Sequence, residues 1–517
     1  MALLSTQPVG SAGSKIEPEF IIGDDVLELI SNAMYVDPLT MFREYIQNSA
    51  DAIDEAKNLG VLDSDHPGSV NIDIDVQKRS ILIRDNGAGV PASEFLSRLL
   101  SLGASKKRGH SSRGFRGVGR LAGLGYAKKL VFRSSTTDAD KVQEVTWDCM
   151  LLRQLLKSES ERSSVSDLIA ALTTYVEFNS EGYPDHFFEV ELFGVVRLKS
   201  DKLLDKSAIS EFLGEVAPVP FSAEFNDAQL ITRKLADKVV MTDLDITIGG
   251  LDTPVLRPHS TVLNDNNRTI QISEVEFVEF PDMNGELAAI GWIAHHQYEG
   301  SLPSALAVKG LRFRCGNMQI GGDDLVEHLF PETRFNSWSI GEIHILDPKI
   351  VPNARRDNFE ENAAYNNLLN QLAPLTRQLA KRCRESSQLR NLKRVKSALE
   401  DKIEDELEIL ELGGMSKSTV NSKINLVVED IDKLRDLSAK LTRELEISVK
   451  EDVVKSYVSR LERVSAGLEP DIKIGSSSSE LLVQNKVIDL IYHHMKDNRE
   501  AKLLVGKILS SISELEQ

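Results

Sequence analysis

The stretch MFREYIQNSADAIDEA, residues 41–56, decides the fold, because it predicts a helix with one packing face and one polar face. An α-helix turns by about 100° per residue, so side chains three or four positions apart share a face. The packing face holds Phe42, Tyr45, Ile46, Ser49, Ile53 and Ala56. The opposite face holds Glu44, Asn48, Asp51 and Glu55. We expect Asp37 to cap this helix and Pro38 to occupy its first position. A charged helix face is usually a solvated surface, so the role of this one depends on the segments that follow.

Composition describes a soluble globular chain. Its 517 residues are 41% hydrophobic and 27% charged, and this length is enough for about three domains. No apolar run approaches the length of a membrane span, and the stretch MALLSTQPVGSAGSKIEPEF lacks the pattern of a signal peptide, so we expect a cytoplasmic protein with no membrane partner. The formal net charge of −18 disfavours general affinity for nucleic acid. Three cysteines far apart in the sequence predict neither a disulfide framework nor a zinc site.

Two further segments follow the helix. Residues 69–90, SVNIDIDVQKRSILIRDNGAGV, alternate apolar and polar side chains on both sides of a short turn, which predicts a β-hairpin with one buried face. Its second strand runs into DNGAG, residues 85–89. Residues 102–127, LGASKKRGHSSRGFRGVGRLAGLGYA, are rich in glycine, which is typical of a backbone that must approach a ligand closely.

The rest of the chain predicts a second α/β domain and a helical end. Strand patterns recur in ELAAIGWIAHH, GLRFRCGNMQI and IGEIHILD. Apolar residues from Val420 to Leu445 keep a heptad spacing, which predicts a helical hairpin or a coiled coil, within the chain or with a partner chain. The expected boundaries are a flexible N-terminus at 1–19, a first α/β domain at 20–215, an α/β middle domain at 216–370, a helical region at 371–468, a linker at 469–480 and C-terminal helices at 481–517.

The N-terminal segments occur in a characteristic order. A helix bearing Glu44, Asn48 and Asp51 precedes a strand that ends in DNGAG, and a glycine-rich loop ending in GFRGVG follows. This order and spacing resemble the Bergerat-type ATP-binding fold of the GHKL superfamily, named for gyrase, the ninety-kilodalton heat-shock chaperone, histidine kinases and MutL. The resemblance covers roughly residues 20–200 and implies an α/β sandwich that binds ATP with Mg²⁺ and hydrolyses it.

The resemblance also implies roles for individual residues. Glu44 matches the carboxylate that polarises the attacking water, and Asn48 matches the oxygen ligand of Mg²⁺. Asp85 matches the carboxylate that accepts a hydrogen bond from the amino group of adenine. Gly87 and Gly89 would let the backbone pass close to the base. Asp51 would tie the helix to the strand. The residues implied for the phosphates are Lys106, Gly114, Gly117, Val118 and Gly119, and residues 103–116 would form a lid.

The superfamily branch is indicated by several short motifs. FREYIQNSADA looks most similar to the chaperone, whereas DNGAG and GFRG look more similar to MutL, gyrase and the Microrchidia proteins. VPNARRDNFEEN, residues 351–362, resembles the chaperone's middle-domain loop, which implies that Asn353 and Arg356 reach the ATP site and that Arg356 acts as an arginine finger. The chain departs from the family where a glycine-threonine pair would stand, because EGYPDHFFEVEL, residues 181–192, lacks it.

Three functions are compatible with these features. The first is a chaperone-like, homodimeric ATPase clamp whose protein client the sequence does not name. The second is a nucleic-acid-associated clamp of MutL or Microrchidia type, suggested by the basic stretch KKRGHSSRGFRGVGR but disfavoured by the acidic chain as a whole. The third is a nucleotide-binding module without hydrolysis, against which the presence of Glu44 argues.

Overall fold

The computed structural model describes residues 37–515, with gaps at 65, 101–118, 138, 156–164, 198–199, 240–242, 266–267, 354, 446–451, 467–477 and 496–497. The chain divides into two compact units. The first comprises Met1–Gln297 and Ser301–Ala380, and the second comprises Tyr298–Gly300 and Lys381–Gln517. The predicted fold class is confirmed, since a sheet-rich α/β part is followed by a helical part.

Helix α1 spans Thr40–Asn58. The Asp37 carboxylate accepts the free amide of Leu39 at 3.0 Å, as the predicted capping role requires. The predicted place of Pro38 is wrong, because the helix begins after a short turn in which the amide of Thr40 donates to the carbonyl of Asp37 over 3.1 Å, so Pro38 lies before the first helical residue. The predicted packing face is confirmed by burial of all six of its residues.

The predicted hairpin is also confirmed. Strands β1, Gly68–Asp75, and β2, Ser80–Asp85, pair antiparallel with Ile72 opposite Ile83. Helix α2, Ala92–Leu100, follows the turn after β2.

A seven-stranded sheet carries the N-terminal part of the chain. Its other strands are β3, Lys129–Ser135; β4, Lys141–Asp148; β5, Thr173–Asn179; β6, Phe187–Phe193; and β7, Leu244–Ile248. The strand order is β5-β4-β3-β6-β2-β1-β7, and the pairing is antiparallel except between β1 and β7. Strand β7 therefore completes the first sheet although it follows residue 215, where we expect the first domain to end.

Helices cover one face of this sheet and form a two-layer α/β sandwich. They include α3, Cys149–Leu155; α4, Val165–Leu172; α5, Lys206–Val216; and 3₁₀-helices at Gly119–Gly125 and Lys202–Leu204. The core beneath α1 includes Phe42 and Ile46 from the helix and Ile72 and Ile83 from the hairpin.

A five-stranded sheet follows in the same compact unit, as the strand patterns predict. Its strands are β10, Glu274–Pro281; β11, Leu287–His295; β12, Gly310–Cys315; β13, Met318–Ile320; and β14, Ile340–Ile345, in the order β10-β11-β14-β12-β13. Around it lie helix α6, Ala228–Ala236; the strand pair β8, Val262–Asp265, and β9, Arg268–Gln271; and 3₁₀-helices at Glu327–Leu329 and Thr333–Trp338.

A buried charge network joins the second sheet to the segment after α5. The carboxylate of Glu342 on β14 pairs with Arg257 at 2.7 Å and with Arg314 at 2.6 Å. Arg257 also donates to the carbonyl of Val219, and Arg314 donates to that of Ala217. Burial raises the pKa of Glu342, but the two guanidinium groups outweigh it and hold that pKa well below its usual range. Each carboxylate oxygen of Glu342 thus has a guanidinium partner, which fits a rigid joint.

The second unit is helical. Helix α7, Ala363–Leu412, begins in the first unit, and α8, Lys417–Leu445; α9, Asp452–Ala466; α10, Ser478–His494; and α11, Asn498–Leu515, complete the chain. Heptad residues of α8 such as Val427 and Leu434 pack with Leu407 of α7 and Leu461 of α9. The heptad face is thus covered within one chain, and pairing with a partner chain stays a prediction. No helix in the described part of the chain is both long and apolar enough to cross a membrane.

Candidate functional site

Glu44 lies on the polar face of α1 and is only 7% exposed, so this face is not an ordinary solvated surface. One carboxylate oxygen faces the first residue of the 3₁₀-helix Gly119–Gly125. A Cβ atom on Gly119 would lie 2.1 Å from Glu44 Oε2, so only glycine fits without displacing the carboxylate. The structure therefore places two predicted site residues, 75 positions apart in sequence, side by side.

Arg356 reaches Glu44 from the second sheet's side of the unit. Its Nε lies 2.9 Å from Glu44 Oε1, and the two side chains are 12% and 9% exposed. Arg356 adopts a positive φ of 57°, an uncommon conformation for a residue with a side chain. A strained backbone next to a buried ion pair is typical of a functional site, because the surrounding structure must hold it in place. The resemblance predicted that this loop reaches the site.

The loop that carries Arg356 is anchored to α1 by main-chain contacts. The guanidinium group of Arg43 donates to the carbonyls of Arg355, at 3.3 Å, and Arg356, at 3.5 Å. The amide of Arg356 donates to the carbonyl of Asn353 at 3.1 Å. The Asn353 side-chain amide donates to Asp357 at 2.6 Å, so Asn353 holds the loop itself.

A chain of hydrogen bonds supports this loop from behind. Glu215, at the end of α5, accepts from Arg312 at 2.7 Å, and Arg312 donates to Gln319 at 3.1 Å. The amide group of Gln319 donates to the carbonyl of Gly321, whose own amide donates to the carbonyl of Arg356 at 2.9 Å. The position of Arg356 thus depends on residues from three separate parts of the chain.

Asp85 ends strand β2 and is 3% exposed. Burial raises its pKa to about 6, although hydrogen bonds from the Ser49 side chain and from the amides of Gly87 and Phe188 lower it, as does the nearby His186. The amide of Gly87 lies 2.9 Å from Asp85 Oδ1. A buried carboxylate held by several donors is a fixed, strong hydrogen-bond acceptor.

Gly87 and Gly89 fit close to the protein's own backbone. A Cβ atom on Gly87 would lie 2.6 Å from Ala52 Cβ on α1, and one on Gly89 would lie 2.0 Å from the carbonyl oxygen of Ser135. Gly89 also has a positive φ of 71°. The structural need for both glycines is therefore packing of the turn on α1 and β3, and their predicted approach to the base stays a prediction.

The polar face of α1 offers oxygen atoms for a nucleotide and a hard cation. Asn48 is half-exposed one turn after Glu44, and Asp51 is 8% exposed one turn further. Gln47, directly before Asn48, is 1% exposed, and within the described part of the chain neither polar atom of its side-chain amide has a hydrogen-bond partner. Because buried amides are nearly always satisfied by protein or water, Gln47 indicates a place for a polar ligand or water. These residues fit ATP with Mg²⁺, and Asn48 can supply the oxygen ligand.

Four predicted site residues, Lys106, Gly114, Gly117 and Val118, lie outside the described residues, as does the predicted lid at 103–116. The basic stretch on which the nucleic-acid alternative depends lies largely in the same part of the chain. These assignments stay predictions.

Three residues near the site had no pattern that marked them in the sequence. In the sequence, Arg43 is one more charged residue of a predicted helix, and Tyr45 belongs to the predicted packing face. The hydroxyl of Tyr45 accepts the amide of Gly123 at 2.9 Å and so ties α1 to the 3₁₀-helix. His186, directly before the neighbouring strand β6, contacts the carbonyl of Gly87 at 2.8 Å. Each contact joins segments distant in sequence, and only the fold brings them together.

Comparison with known proteins gives the class of this domain. Residues 39–172 match the family described as histidine kinase-, DNA gyrase B-, and HSP90-like ATPase. The matched stretch runs from the start of α1 through the hairpin to the end of α4. The chain therefore contains a GHKL-type ATPase domain, as the motifs predict.

Part of the chain is also similar to bacterial chaperones. It is 26% identical over 141 residues to chaperone protein HtpG of Francisella tularensis subsp. novicida, a match that covers 24% of this chain and 22% of the relative. HtpG of Helicobacter pylori strain 26695 is 24% identical over 135 residues, which cover 23% of this chain and 22% of the relative. HtpG of Helicobacter acinonychis is 26% identical over 135 residues, with the same coverage. The similarity thus spans about a fifth of these relatives.

Proposed function

We propose that this protein hydrolyses ATP at the site between α1, the DNGAG turn and the Arg356 loop. The ion pair between Glu44 and Arg356 carries the proposal, because it joins the predicted base on α1 to the predicted finger 312 residues later. An ion pair on the surface would contribute little to stability. This ion pair is largely buried, and Arg43 and Gly321 hydrogen-bond the loop that carries Arg356.

Each residue has a distinct part in the proposed reaction. Asp85 accepts a hydrogen bond from the amino group of adenine, so it selects adenine over a base with a carbonyl at that position. Glu44 accepts a proton from the attacking water as the water oxygen bonds to the terminal phosphorus; the bond from that phosphorus to the bridging oxygen breaks, and ADP leaves. Arg356 donates charge-assisted hydrogen bonds to the phosphoryl oxygens, where negative charge is spread in the transition state.

The ion pair also orders these two groups before reaction. Arg356 uses Nε toward Glu44, which is one of the five N–H donors of a guanidinium group. Asn48 would hold Mg²⁺, which supplies positive charge to the phosphate oxygens. Gly119 begins the segment whose amides would contact those oxygens.

We further propose a chaperone-like clamp that acts on a protein client. The similarity to proteins named chaperone protein HtpG supports this choice. A homodimer is supported by apolar side chains of α10 and α11 that lie outside the core of their own unit, since Val483 is 63% exposed and Leu503 is 66% exposed. The cytoplasmic location expected from the sequence stays a prediction.

The test separates nucleotide binding from hydrolysis. Glu44→Ala should retain ATP binding in calorimetry while the rate of phosphate release falls by a factor on the order of a hundred to ten thousand, the usual effect of losing a general base. Glu55→Ala is the matched control, because Glu55 lies on the same face of α1 but is exposed. Absence of ATP binding by the unaltered chain, or equal turnover in the two variants, would refute the proposed function.

A further inference from the structure

His186 contacts the turn that follows Asp85, although it lies at the start of a different strand of the sheet. His186 directly precedes β6 and is half-buried. Its Nδ1 lies 2.8 Å from the carbonyl oxygen of Gly87. A carbonyl oxygen only accepts, so Nδ1 must carry the proton and donate. The contact therefore sets the ring's tautomer as well as its position.

This hydrogen bond acts on a single peptide group. The Gly87 carbonyl and the Ala88 amide belong to the same planar unit. Its amide end donates to the carbonyl of Ala52 on α1 at 3.0 Å. Its carbonyl end is held by His186. Because glycine is conformationally permissive, such a unit needs hydrogen bonds on both ends to stay in one orientation.

The peptide group controls the carboxylate of Asp85 through its neighbour. The amide of Gly87 donates to Asp85 Oδ1 at 2.9 Å, so rotation of this turn would move a donor that orients the carboxylate. Other parts of the turn are fixed independently, since the amide of Val90 donates to Ser134 at 2.8 Å. The carbonyl of Gly87 is the point at which His186, directly before β6, contacts the turn. The nearby His186 also lowers the pKa of Asp85, against the larger effect of burial.

We propose that His186 is a positioning residue for adenine recognition, which fixes the Gly87–Ala88 peptide through Nδ1 and so holds Asp85 ready to accept from the base. This inference rests on the proposed function. It assigns His186 to recognition of the base and not to hydrolysis, because its contact is with the turn after β2 while Glu44 and Arg356 form the reacting end of the site.

The test uses the full chain and four substitutions, of which Asp85→Asn serves as the reference for loss of base recognition. His186→Ala should weaken ATP binding about three- to tenfold, the effect of losing one net hydrogen bond. His186→Asn should restore binding to within about threefold of the unaltered chain, because the Asn amide nitrogen is as many bonds from Cα as Nδ1 is, and it can donate to the same carbonyl. His328→Ala is the control, since His328 is exposed and lies near the second sheet. Calorimetry measures the affinities for ATP and for inosine triphosphate, which has a carbonyl in place of the amino group.

The readouts distinguish positioning from a structural role. His186→Ala should reduce the preference for ATP over inosine triphosphate and leave the turnover rate at saturating ATP within about threefold, as expected for a group that acts on binding. Unchanged ATP affinity, an equal loss for both nucleotides, or failure of His186→Asn to recover binding would overturn the proposal. Loss of ATP binding in Asp85→Asn alongside an unaffected His186→Ala would refute His186 alone, whereas no ATP binding by the unaltered chain would refute the proposed function itself.

Discussion

Replacement of Asp85 by asparagine should move stability and nucleotide binding in opposite directions. Burial raises the pKa of Asp85 from 3.8 to about 6, and a shift of about two units corresponds to roughly 3 kcal/mol. The folded-state value lies above the unfolded value, so the ionised carboxylate opposes folding. The resulting loss of folding free energy is small below about pH 4, grows as pH rises from the unfolded-state pKa to the folded-state pKa, and is complete above about pH 6. Asparagine has no charge to bury.

The expected magnitude follows from the two pKa values. With 3.8 and about 6, the free energy of unfolding of Asp85→Asn relative to the unaltered chain should rise by about 2 kcal/mol between about pH 4.5 and pH 7.5. Any hydrogen bond that the substitution weakens is largely independent of pH and cancels in this comparison. ATP affinity should fall at least about tenfold and up to about a hundredfold, because a hydrogen bond to a charged acceptor is worth about 1.5–3 kcal/mol.

Urea unfolding followed by hydrogen exchange on peptides of β1 and β2 measures the first quantity, and calorimetry with ATP measures the second. Asp75→Asn is the control on the neighbouring strand, because the pKa of Asp75 is lowered, mainly by a hydrogen bond from the amide of Lys78. Relative to the unaltered chain, the free energy of unfolding of Asp75→Asn should therefore fall as pH rises. If the Asp85 variant shows no gain with pH, the carboxylate is not held in the buried, ionised state described here. If ATP affinity is unchanged, Asp85 does not read the base.

Three other predictions concern the reacting end of the site and the assembly. The Arg356→Ala variant should still bind ATP, but its turnover rate should fall on the order of a thousandfold, the lower range for an arginine finger. The turnover rate of Arg355→Ala should fall much less. Equal rates in the two variants would refute the role of Arg356 as an arginine finger. Gly119→Ala should keep stability within about 1 kcal/mol, since the atom it displaces is the end of a flexible side chain, yet lower turnover nearly as much as Glu44→Ala; normal phosphate release would mean that the carboxylate position is unimportant. Light scattering should give a dimer for the full chain and a monomer for one ending at Ala380, and equal monomeric masses would contradict the homodimer.

The sequence by itself determined the elements whose signals are local. The apolar face of α1 and the alternation in β1 and β2 depend only on side chains a few positions apart, and both are present as predicted. The order of the helix, DNGAG and the glycine-rich loop was enough to indicate the ATPase family that residues 39–172 match. The start of α1 was placed too early, because Asp37 and Pro38 form a turn whose geometry depends on the main chain.

Only the tertiary structure decided which of these residues meet. Strand β7 pairs with β1 from beyond the expected end of the first domain, since strand pairing is fixed by hydrogen bonds between distant segments. The resemblance suggested that Arg356 reaches the site, but its contact with Glu44 and its support by Arg43 are properties of the folded chain. His186 had no signal in the sequence, because one histidine beside a strand is informative only once β6 lies next to β2. The pKa of Asp85 is decided in the same way, because burial and donors from several segments set its charge, and no local pattern encodes either.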